Sequence, residues 1–218
     1  MSLSAELSHI WYKVSGQRAK AQREAKQAFA RALADLKPDD VVIDLGANAG
    51  EFTVQMAKTG AKVYAFEPDP HALGLLNSAV AGLANVSVMA AAAGVAADTA
   101  MLYRKRGFER EADRATKSSS LVSSKRNVDP EHSVTVEVVD FPSFLEQLNR
   151  DIAVIKMDIE GAEVDLLEHL LDHRVASRIG EIYVETHERA LPETASRIAA
   201  LKIRSTGLDR PRINWDWH

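Results

Sequence analysis

The clearest chemical signal in this sequence is a glycine-containing turn that directly follows a short apolar strand. Asp44-Leu45-Gly46-Ala47-Asn48-Ala49-Gly50 comes after the run at residues 41–43 and leads into a helix. Gly46 and Gly50 lack a Cβ atom, so the backbone can turn tightly and approach a ligand closely. The spacing departs from the Gly-x-Gly-x-x-Gly fingerprint of pyrophosphate sites, and Asp44 would repel a pyrophosphate. The turn favours a ligand with an amino group and a sulfonium, with an ordinary strand–helix connection as the alternative.

A second acid follows the next predicted strand. Glu67-Pro68-Asp69 comes after residues 62–66, and a carboxylate at that strand end can accept hydrogen bonds from both hydroxyls of a ribose. Asp69 is expected to cap the helix that begins at Pro70. Either acid alone could be a cap or a solvated loop charge. Asp44 and Glu67 together, one strand–helix–strand unit apart, predict a nucleoside-binding site.

Two further polar clusters follow later predicted strands. Lys156-Met157-Asp158-Ile159-Glu160-Gly161-Ala162-Glu163 comes after residues 154–155, and His187 comes after residues 182–184. Asp158 is the best placed acid over the reactive end of a bound nucleoside, and His187 shares the same rim. Helix capping by Glu160 or Glu163, an ion pair of Lys156 and a purely structural histidine are the alternatives.

The elements that must position these residues alternate between strand and helix from residue 41 onward. Strands are predicted at 41–43, 63–66, 86–88, 134–139, 154–155 and 182–184, and helices at 52–58, 70–83, 141–149, 163–173 and 192–203. Such alternation predicts an α/β fold with a mostly parallel sheet. The first, fourth and fifth strands are nearly continuous apolar runs, as expected where both faces of a sheet are covered.

The predicted domain organisation is a helical arm at residues 1–37 and an α/β domain at residues 38–218. The arm is amphipathic over residues 17–36 and is expected to pack on the core, with a membrane-surface or nucleic-acid role as the alternative. A polar insert near residues 104–126 holds eight Lys and Arg and five Ser. It is expected to be a mobile flap over an anionic or glycosidic acceptor, or else a solvated loop.

Composition excludes several classes of protein. The chain has 218 residues, 46% of them hydrophobic, and no cysteine, which removes disulfides, thiolate nucleophiles and cysteine-ligated metals. Residues 38–218 hold 20 Lys and Arg against 28 Asp and Glu, so general nucleic-acid binding is not expected. The longest apolar run, residues 88–97, is too short to span a membrane, and residues 1–11 lack a secretory signal. A cytoplasmic location is therefore predicted.

Together these segments resemble the FkbM family of S-adenosylmethionine-dependent methyltransferases. The similarity rests on Asp44 to Gly50, Phe66-Glu67-Pro68, Lys156 to Glu163 and Glu185-Thr186-His187, and it covers roughly residues 40–190. The resemblance implies a class I methyltransferase fold, a Rossmann-like three-layer sandwich with a mostly parallel central sheet. It also implies S-adenosylmethionine as the methyl donor and O-methylation of a hydroxyl on a sugar, glycan or polyketide-like small molecule.

The resemblance also implies roles for individual residues. The turn from Gly46 to Gly50 would face the methionine end of the donor, Asn48 would hold its carboxylate or amine, and Glu67 would hold its ribose. Alanines stand where such proteins often carry Asn or Asp, so adenine would be held by backbone and apolar contacts. The predicted cofactor-binding residues are Asp44, Gly46, Asn48, Gly50, Glu67, Pro68, Ala91, Ala92 and Asp158.

The predicted catalytic residues are Asp158, His187 and Lys156. A neutral alcohol is a poor nucleophile, so Asp158 or His187 is expected to act as general base, while Lys156 orients the substrate or offsets the local negative charge. A divalent ion on Asp158, Glu185 and His187 is a less favoured alternative. The rival functions are a nicotinamide-dependent oxidoreductase, disfavoured by the glycine spacing, and a catalytically inactive nucleoside-binding regulatory or scaffold protein. Homo-oligomer formation is left open.

Overall fold

Nine strands, numbered in chain order, form two sheets in the computed structural model, which describes residues 16–217. The central sheet has six parallel strands in the order β3-β2-β1-β7-β8-β9. Its strands are β1 (Val41–Leu45), β2 (Lys62–Phe66), β3 (Val86–Met89), β7 (Ile152–Met157), β8 (Ile179–Val184) and β9 (Arg212–Asn214). From β1 the chain runs outward to β3, and the later strands continue from the other side of β1. The switch point therefore lies between β1 and β7, where open α/β sheets bind their ligands.

Seven α-helices accompany the strands in the described residues. They are α1 (Gln17–Ala34), α2 (Glu51–Ala57), α3 (Pro70–Ala79), α4 (Ala112–Ala115), α5 (Phe141–Leu148), α6 (Glu163–Asp172) and α7 (Ala195–Ser205). Aspartates cap the N-termini of two of these helices: the Asp69 carboxylate accepts a hydrogen bond from the His71 backbone N–H at 2.9 Å, and the Asp140 carboxylate accepts one from the Ser143 backbone N–H at the start of α5. The predicted capping role of Asp69 is confirmed.

Both faces of the central sheet are covered by helices. Side chains alternate between the faces of a strand, so Ile43 and Leu45 join one core while Val42 joins another. The first core includes side chains of α5, α6 and α7, and the second includes Phe29 of α1 and Met56 of α2. The result is the expected three-layer α/β sandwich around a parallel sheet.

α1 is part of the second core. Its Phe29 ring contacts Trp217 and Tyr183, with ring centroids 4.4 and 5.1 Å apart. The first fifteen residues of the predicted arm, including the segment tested for a secretory signal, lie outside the described residues, as does His218 at the other end. Within residues 16–217, no helix combines the length and the apolarity needed to cross a membrane.

The predicted strand at residues 134–139 does not belong to the parallel sheet. It is part of β6 (Val128–Asp140), which pairs with β4 (Ala92–Gly94) and antiparallel with β5 (Asp98–Lys105) in a separate three-stranded sheet. Most β6 side chains are exposed or half-buried, as is usual for an antiparallel strand with one solvated face. The apolar run was therefore a misleading sign of burial on both faces. The 104–126 segment begins with the last two residues of β5 and continues through most of the connection to β6.

Candidate active site

The turn after β1 is built around Gly46. Its φ is +76°, and a Cβ atom at this position would lie 1.8 Å from the Asp158 carbonyl oxygen, so only glycine fits. The backbone N–H groups of Gly46 and Ala47 both donate to the Phe66 carbonyl oxygen, at 3.1 and 2.9 Å. These contacts fix the turn against the carboxyl ends of β2 and β7.

A cavity of about 160 Å³ lies at this edge of the sheet. Eight of the predicted site residues line it: Gly46, Asn48, Glu67, Pro68, Ala91, Ala92, Lys156 and Asp158. Asp44, Gly50 and His187 are not among its lining residues. Gly50 faces α3 instead, where a Cβ atom would come within 3.0 Å of Leu76 Cδ1, so its glycine serves helix packing. Its predicted direct contact with a cofactor is not supported by this geometry.

Glu67 is buried at one side of the cavity, with 5% of its surface exposed. Its two carboxylate oxygens accept hydrogen bonds from the backbone N–H groups of Asn48 and Asp69, each at 2.8 Å. Burial raises the pKa of Glu67 to about 7, although the two backbone donors oppose the shift. The carboxylate is therefore held in a fixed orientation, with lone pairs left over for a ligand hydroxyl.

Asp44 lies beneath the turn and is fully buried. Its Oδ2 accepts a hydrogen bond from Thr53 Oγ1 at 2.6 Å, and its Oδ1 lies 3.3 Å from Lys156 Nζ. Asp44, predicted as a cofactor-binding residue, forms this internal ion pair instead and does not line the cavity. An ion pair was the structural alternative for Lys156, and this contact with Asp44 confirms it.

Lys156 stabilises the turn from below. Its Nζ donates to the Gly46 carbonyl oxygen at 2.8 Å and lies 3.8 Å from Asp158 Oδ2. Burial alone would lower the pKa of Lys156, but Asp44 and Asp158 outweigh burial and raise it. The amine therefore stays charged and offsets neighbouring negative charge, which is the second of its two predicted roles.

Asp158 lines the cavity opposite Glu67 and has unused acceptor capacity. Its Oδ1 is buried and has no hydrogen-bond partner among residues 16–217, with His187 Nε2 at 3.8 Å as an ion-pair contact. Burial raises the pKa of Asp158, although Lys156 acts in the opposite direction. A buried carboxylate oxygen without a donor is suited to accept a proton or a hydrogen bond from a ligand.

His187 is held between two carboxylates. Its Nδ1 lies 3.0 Å from Glu163 Oε1 and its Nε2 lies 3.2 Å from Glu160 Oε2. Burial would lower the pKa of His187, but these two partners raise it to about 11. Both ring nitrogens face carboxylates, which favours the protonated ring at neutral pH and leaves neither nitrogen free to accept a proton. The predicted general-base role of His187 is therefore corrected, and its side chain lines a second cavity of about 340 Å³.

Glu163 organises the loop between β7 and α6. Only 1% of its surface is exposed, and its carboxylate accepts hydrogen bonds from the backbone N–H groups of Ile159 and Gly161, each at 2.9 Å. The loop needs this support because Glu160 has a left-handed φ of +58°. Sequence reasoning assigned Glu163 only a helix cap as an alternative. The sequence feature that could have indicated this role is the Glu-Gly-x-Glu spacing of Glu160, Gly161 and Glu163.

The 104–126 segment forms a further wall of the cavity through Thr116, Lys117, Ser119 and Leu121. It is attached to the body at both sides of the cavity. Arg104 Nη2 lies 3.0 Å from Asp69 Oδ1, while Lys125 forms an ion pair with Glu160 and is only 3% exposed. Sequence reasoning missed the buried Lys125, because a single lysine in a basic segment carries no distinguishing signal.

A metal ion would find three ligand atoms close together. Atoms of Asp158, Glu163 and His187 lie within 4.8 Å of one another, so Glu163 takes the place predicted for Glu185. Burial, followed by the charge of Asp158, raises the pKa of Glu185 to about 7. A metal would have to displace a proton from His187, since a ligating imidazole must be neutral at the bonding nitrogen. The negative charge of the carboxylates around this position is already balanced by three cations, Lys125, Lys156 and protonated His187.

A family model described as "Methyltransferase FkbM domain" matches residues 44–204. "Ribosomal RNA small subunit methyltransferase A" of Thermotoga neapolitana is 47% identical over 55 residues, which is 25% of this chain and 21% of that protein. The Thermotoga maritima protein of the same description is 42% identical over 55 residues, 25% of this chain and 20% of its own length. The chain thus spans about a fifth of the length of these curated relatives.

Among solved structures, precorrin-6y C5,15-methyltransferase from Geobacter metallireducens GS-15 is similar with a TM-score of 0.40 and 14% sequence identity. That similarity covers 79% of this chain and 68% of that one.

Proposed function

The chain belongs to the FkbM methyltransferase family, and we propose that it transfers a methyl group from S-adenosylmethionine to a hydroxyl of a sugar, glycan or other small molecule. The observation that carries this proposal is a cavity at the β1/β7 switch point that is lined by two carboxylates, the buried one of Glu67 and the half-buried one of Asp158. Glu67 and Asp158 line it from the ends of β2 and β7. We take residues 38–218 as the catalytic domain and residues 1–37 as a helical arm.

The residues around the cavity fit a nucleoside that carries an amino-acid chain. Glu67 would accept hydrogen bonds from the ribose hydroxyls, because its carboxylate is already oriented by two backbone donors. Pro68, Ala91 and Ala92 offer an apolar wall to the adenine. The Gly46 turn would place backbone beside the amino-acid chain, and a Cβ atom at Gly46 would disrupt this turn by colliding with the Asp158 carbonyl oxygen.

The donor supplies an electrophilic methyl group on a sulfonium. The main task of the chain is then to align an acceptor oxygen with that methyl, since alignment removes most of the entropic cost of a two-reactant step. Asp158 takes the hydroxyl proton as the new O–CH₃ bond forms and the S–CH₃ bond breaks. Its raised pKa brings its proton affinity closer to that of a base working near neutral pH.

His187 and Lys156 support this step without exchanging protons. Protonated His187 lies 3.8 Å from Asp158 Oδ1 and holds the Glu160 and Glu163 carboxylates in place. Lys156 fixes the Gly46 turn and reduces the repulsion between Asp44 and Asp158. Both are positioning residues in this proposal.

We propose a neutral or sugar-like acceptor rather than RNA. The Thermotoga relatives are named as ribosomal RNA methyltransferases. Residues 38–218 of this chain, however, carry eight more acidic than basic residues. Such a surface repels a polyanion. A cytoplasmic location belongs to the same proposal, and the absence of cysteine fits it.

Calorimetry and a methyl-transfer assay test the proposal. We expect the purified protein to bind S-adenosylmethionine and S-adenosylhomocysteine but not NAD. With labelled donor, a panel of sugars, glycans and hydroxylated small molecules should include a methylated product, whereas ribosomal RNA should remain unlabelled. Binding without turnover on any acceptor would favour the regulatory or scaffold function, and binding of NAD alone would contradict the cofactor assignment.

A further inference from the structure

Two lysines are the cations that line the cavity in the described part of the chain. Lys156 is 3% exposed, and its Nζ is already used by the Gly46 carbonyl oxygen and by Asp44. Lys117 is exposed, and it makes no hydrogen bond or ion pair with any residue in the range 16–217. Lys117 is therefore the cation that remains available to a ligand.

The position of Lys117 is fixed by its neighbours on both sides. Thr116 Oγ1 lies 3.5 Å from Asn48 Oδ1, which belongs to the turn after β1. Ser119 Oγ lies 3.4 Å from Asp69 Oδ2, and the Ser118 carbonyl oxygen accepts a hydrogen bond from Lys125 Nζ at 3.3 Å. The turn at residues 116–118 is thus attached beside Asn48, the end of the cavity assigned to the amino-acid chain of the donor.

The charge of the cavity creates a need for such a cation. Its carboxylates are Glu51, Glu67, Asp158 and Glu160. They suit a sulfonium and an amino group but repel a ligand carboxylate. An anionic group can bind among these acids only where a cation compensates it.

We propose that Lys117 binds the carboxylate of the amino-acid chain of S-adenosylmethionine. This inference rests on the proposed function and adds a residue of the 104–126 segment to the donor site. A lysine ammonium, with three donors on a flexible stem, can reach a carboxylate from the exposed side of the cavity. The segment then serves donor binding directly, through a residue that sequence reasoning did not select.

The test combines a change in the protein with a change in the ligand. Calorimetry compares S-adenosylmethionine with decarboxylated S-adenosylmethionine, which lacks only the carboxylate, on the full chain and on Lys117→Met. We expect Lys117→Met to weaken S-adenosylmethionine binding by about tenfold, equivalent to about 1.4 kcal/mol. The same substitution should change the affinity for the decarboxylated compound by less than about twofold, because that compound has no carboxylate for Lys117 to bind. Lys117→Arg should restore most of the affinity.

Lys105→Met is the matched control, because Lys105 is an exposed lysine of β5 that does not line the cavity. It should leave both affinities unchanged. Equal weakening of both ligands by Lys117→Met, or no weakening of either, would overturn the assignment of Lys117 while leaving donor binding intact. If the unchanged protein binds neither compound, the proposed function fails and this inference fails with it.

Discussion

His187 Nδ1 lies 3.0 Å from Glu163 Oε1, and this contact joins the segment after β8 to the first residue of α6, next to the loop that follows β7. The same carboxylate accepts two backbone hydrogen bonds from that loop. A protonated histidine in this setting is a half-buried cation that pairs with Glu163 and with Glu160, which lines the cavity. The protonation of His187 should therefore be visible in how the free energy of unfolding changes with pH.

We expect His187 to stabilise the fold most strongly at mildly acidic pH. Its pKa is raised from 6.5 to about 11, so its contribution is complete below about pH 6.5 and is lost as the pH rises toward about 11. Urea unfolding of the unchanged protein and of His187→Gln should therefore show a difference that is larger at about pH 6 than at about pH 10. His169→Gln, on the exposed side of α6, is the control. A difference that does not change with pH would contradict the buried ion pair.

Glu163→Gln should destabilise the protein and lower the pKa of His187. Removing one partner of a buried pair typically costs about 3–5 kcal/mol, because the other charge is left uncompensated. Glu160 remains as a partner, so the lower end is expected. Denaturant unfolding and an NMR titration of the His187 ring measure the two effects. An unchanged His187 titration would show that Glu163 does not hold the proton on the ring.

Asp158→Asn should lower kcat by about 10²–10⁴-fold and change the affinity for S-adenosylmethionine much less. The asparagine keeps the shape of the side chain but cannot take the acceptor proton. Burial raises the pKa of Asp158, so as the pH is lowered kcat of the unchanged protein should begin to fall at a higher pH than it would with an exposed aspartate as the base. The acceptor found in the methyl-transfer assay serves for this measurement. Full activity of the variant would leave alignment alone as the source of rate.

Donor binding should depend on the ionisation of Glu67. Its pKa is about 7, and only the ionised carboxylate accepts from both ribose hydroxyls, so affinity should fall as the pH drops below about 7. Glu67→Gln should weaken S-adenosylhomocysteine binding by about 10- to 100-fold, from about 1.5–3 kcal/mol for a hydrogen bond to a charged group. It should also remove this pH dependence. Glu51→Gln, at an exposed position of the same cavity, is the control, and an equal loss there would argue against a specific role of Glu67.

Chelator treatment should leave methyl transfer unchanged. Both ring nitrogens of His187 already donate to carboxylates, and metal binding to Asp158, Glu163 and His187 would require loss of a proton whose pKa is about 11. The measurement is turnover after EDTA, with and without added magnesium or manganese. Loss of activity that either ion restores would identify a metal site in place of the ion pair.

The central sheet and its polar edge could be predicted from the sequence because both depend on local order along the chain. Apolar runs such as residues 41–43 and 154–155 are strands in any α/β arrangement, and parallel strands bring their carboxyl ends to one edge. Glu67 and Asp158, each directly after a strand, therefore had to lie near one another at that edge. The run at residues 134–139 was correctly predicted as a strand but was assigned to the wrong sheet, because β propensity does not tell which sheet a strand joins.

The charge states of the site were decided by the tertiary structure. His187 is a cation because Glu160 and Glu163, more than twenty residues away in the chain, lie against both of its ring nitrogens. Asp44 faces Lys156 rather than the cavity, and Lys125 is buried beside Glu160. Ionisation depends on burial and on distances of a few ångströms between distant segments. A sequence gives the residue types and their order, but those distances exist only once the chain is folded.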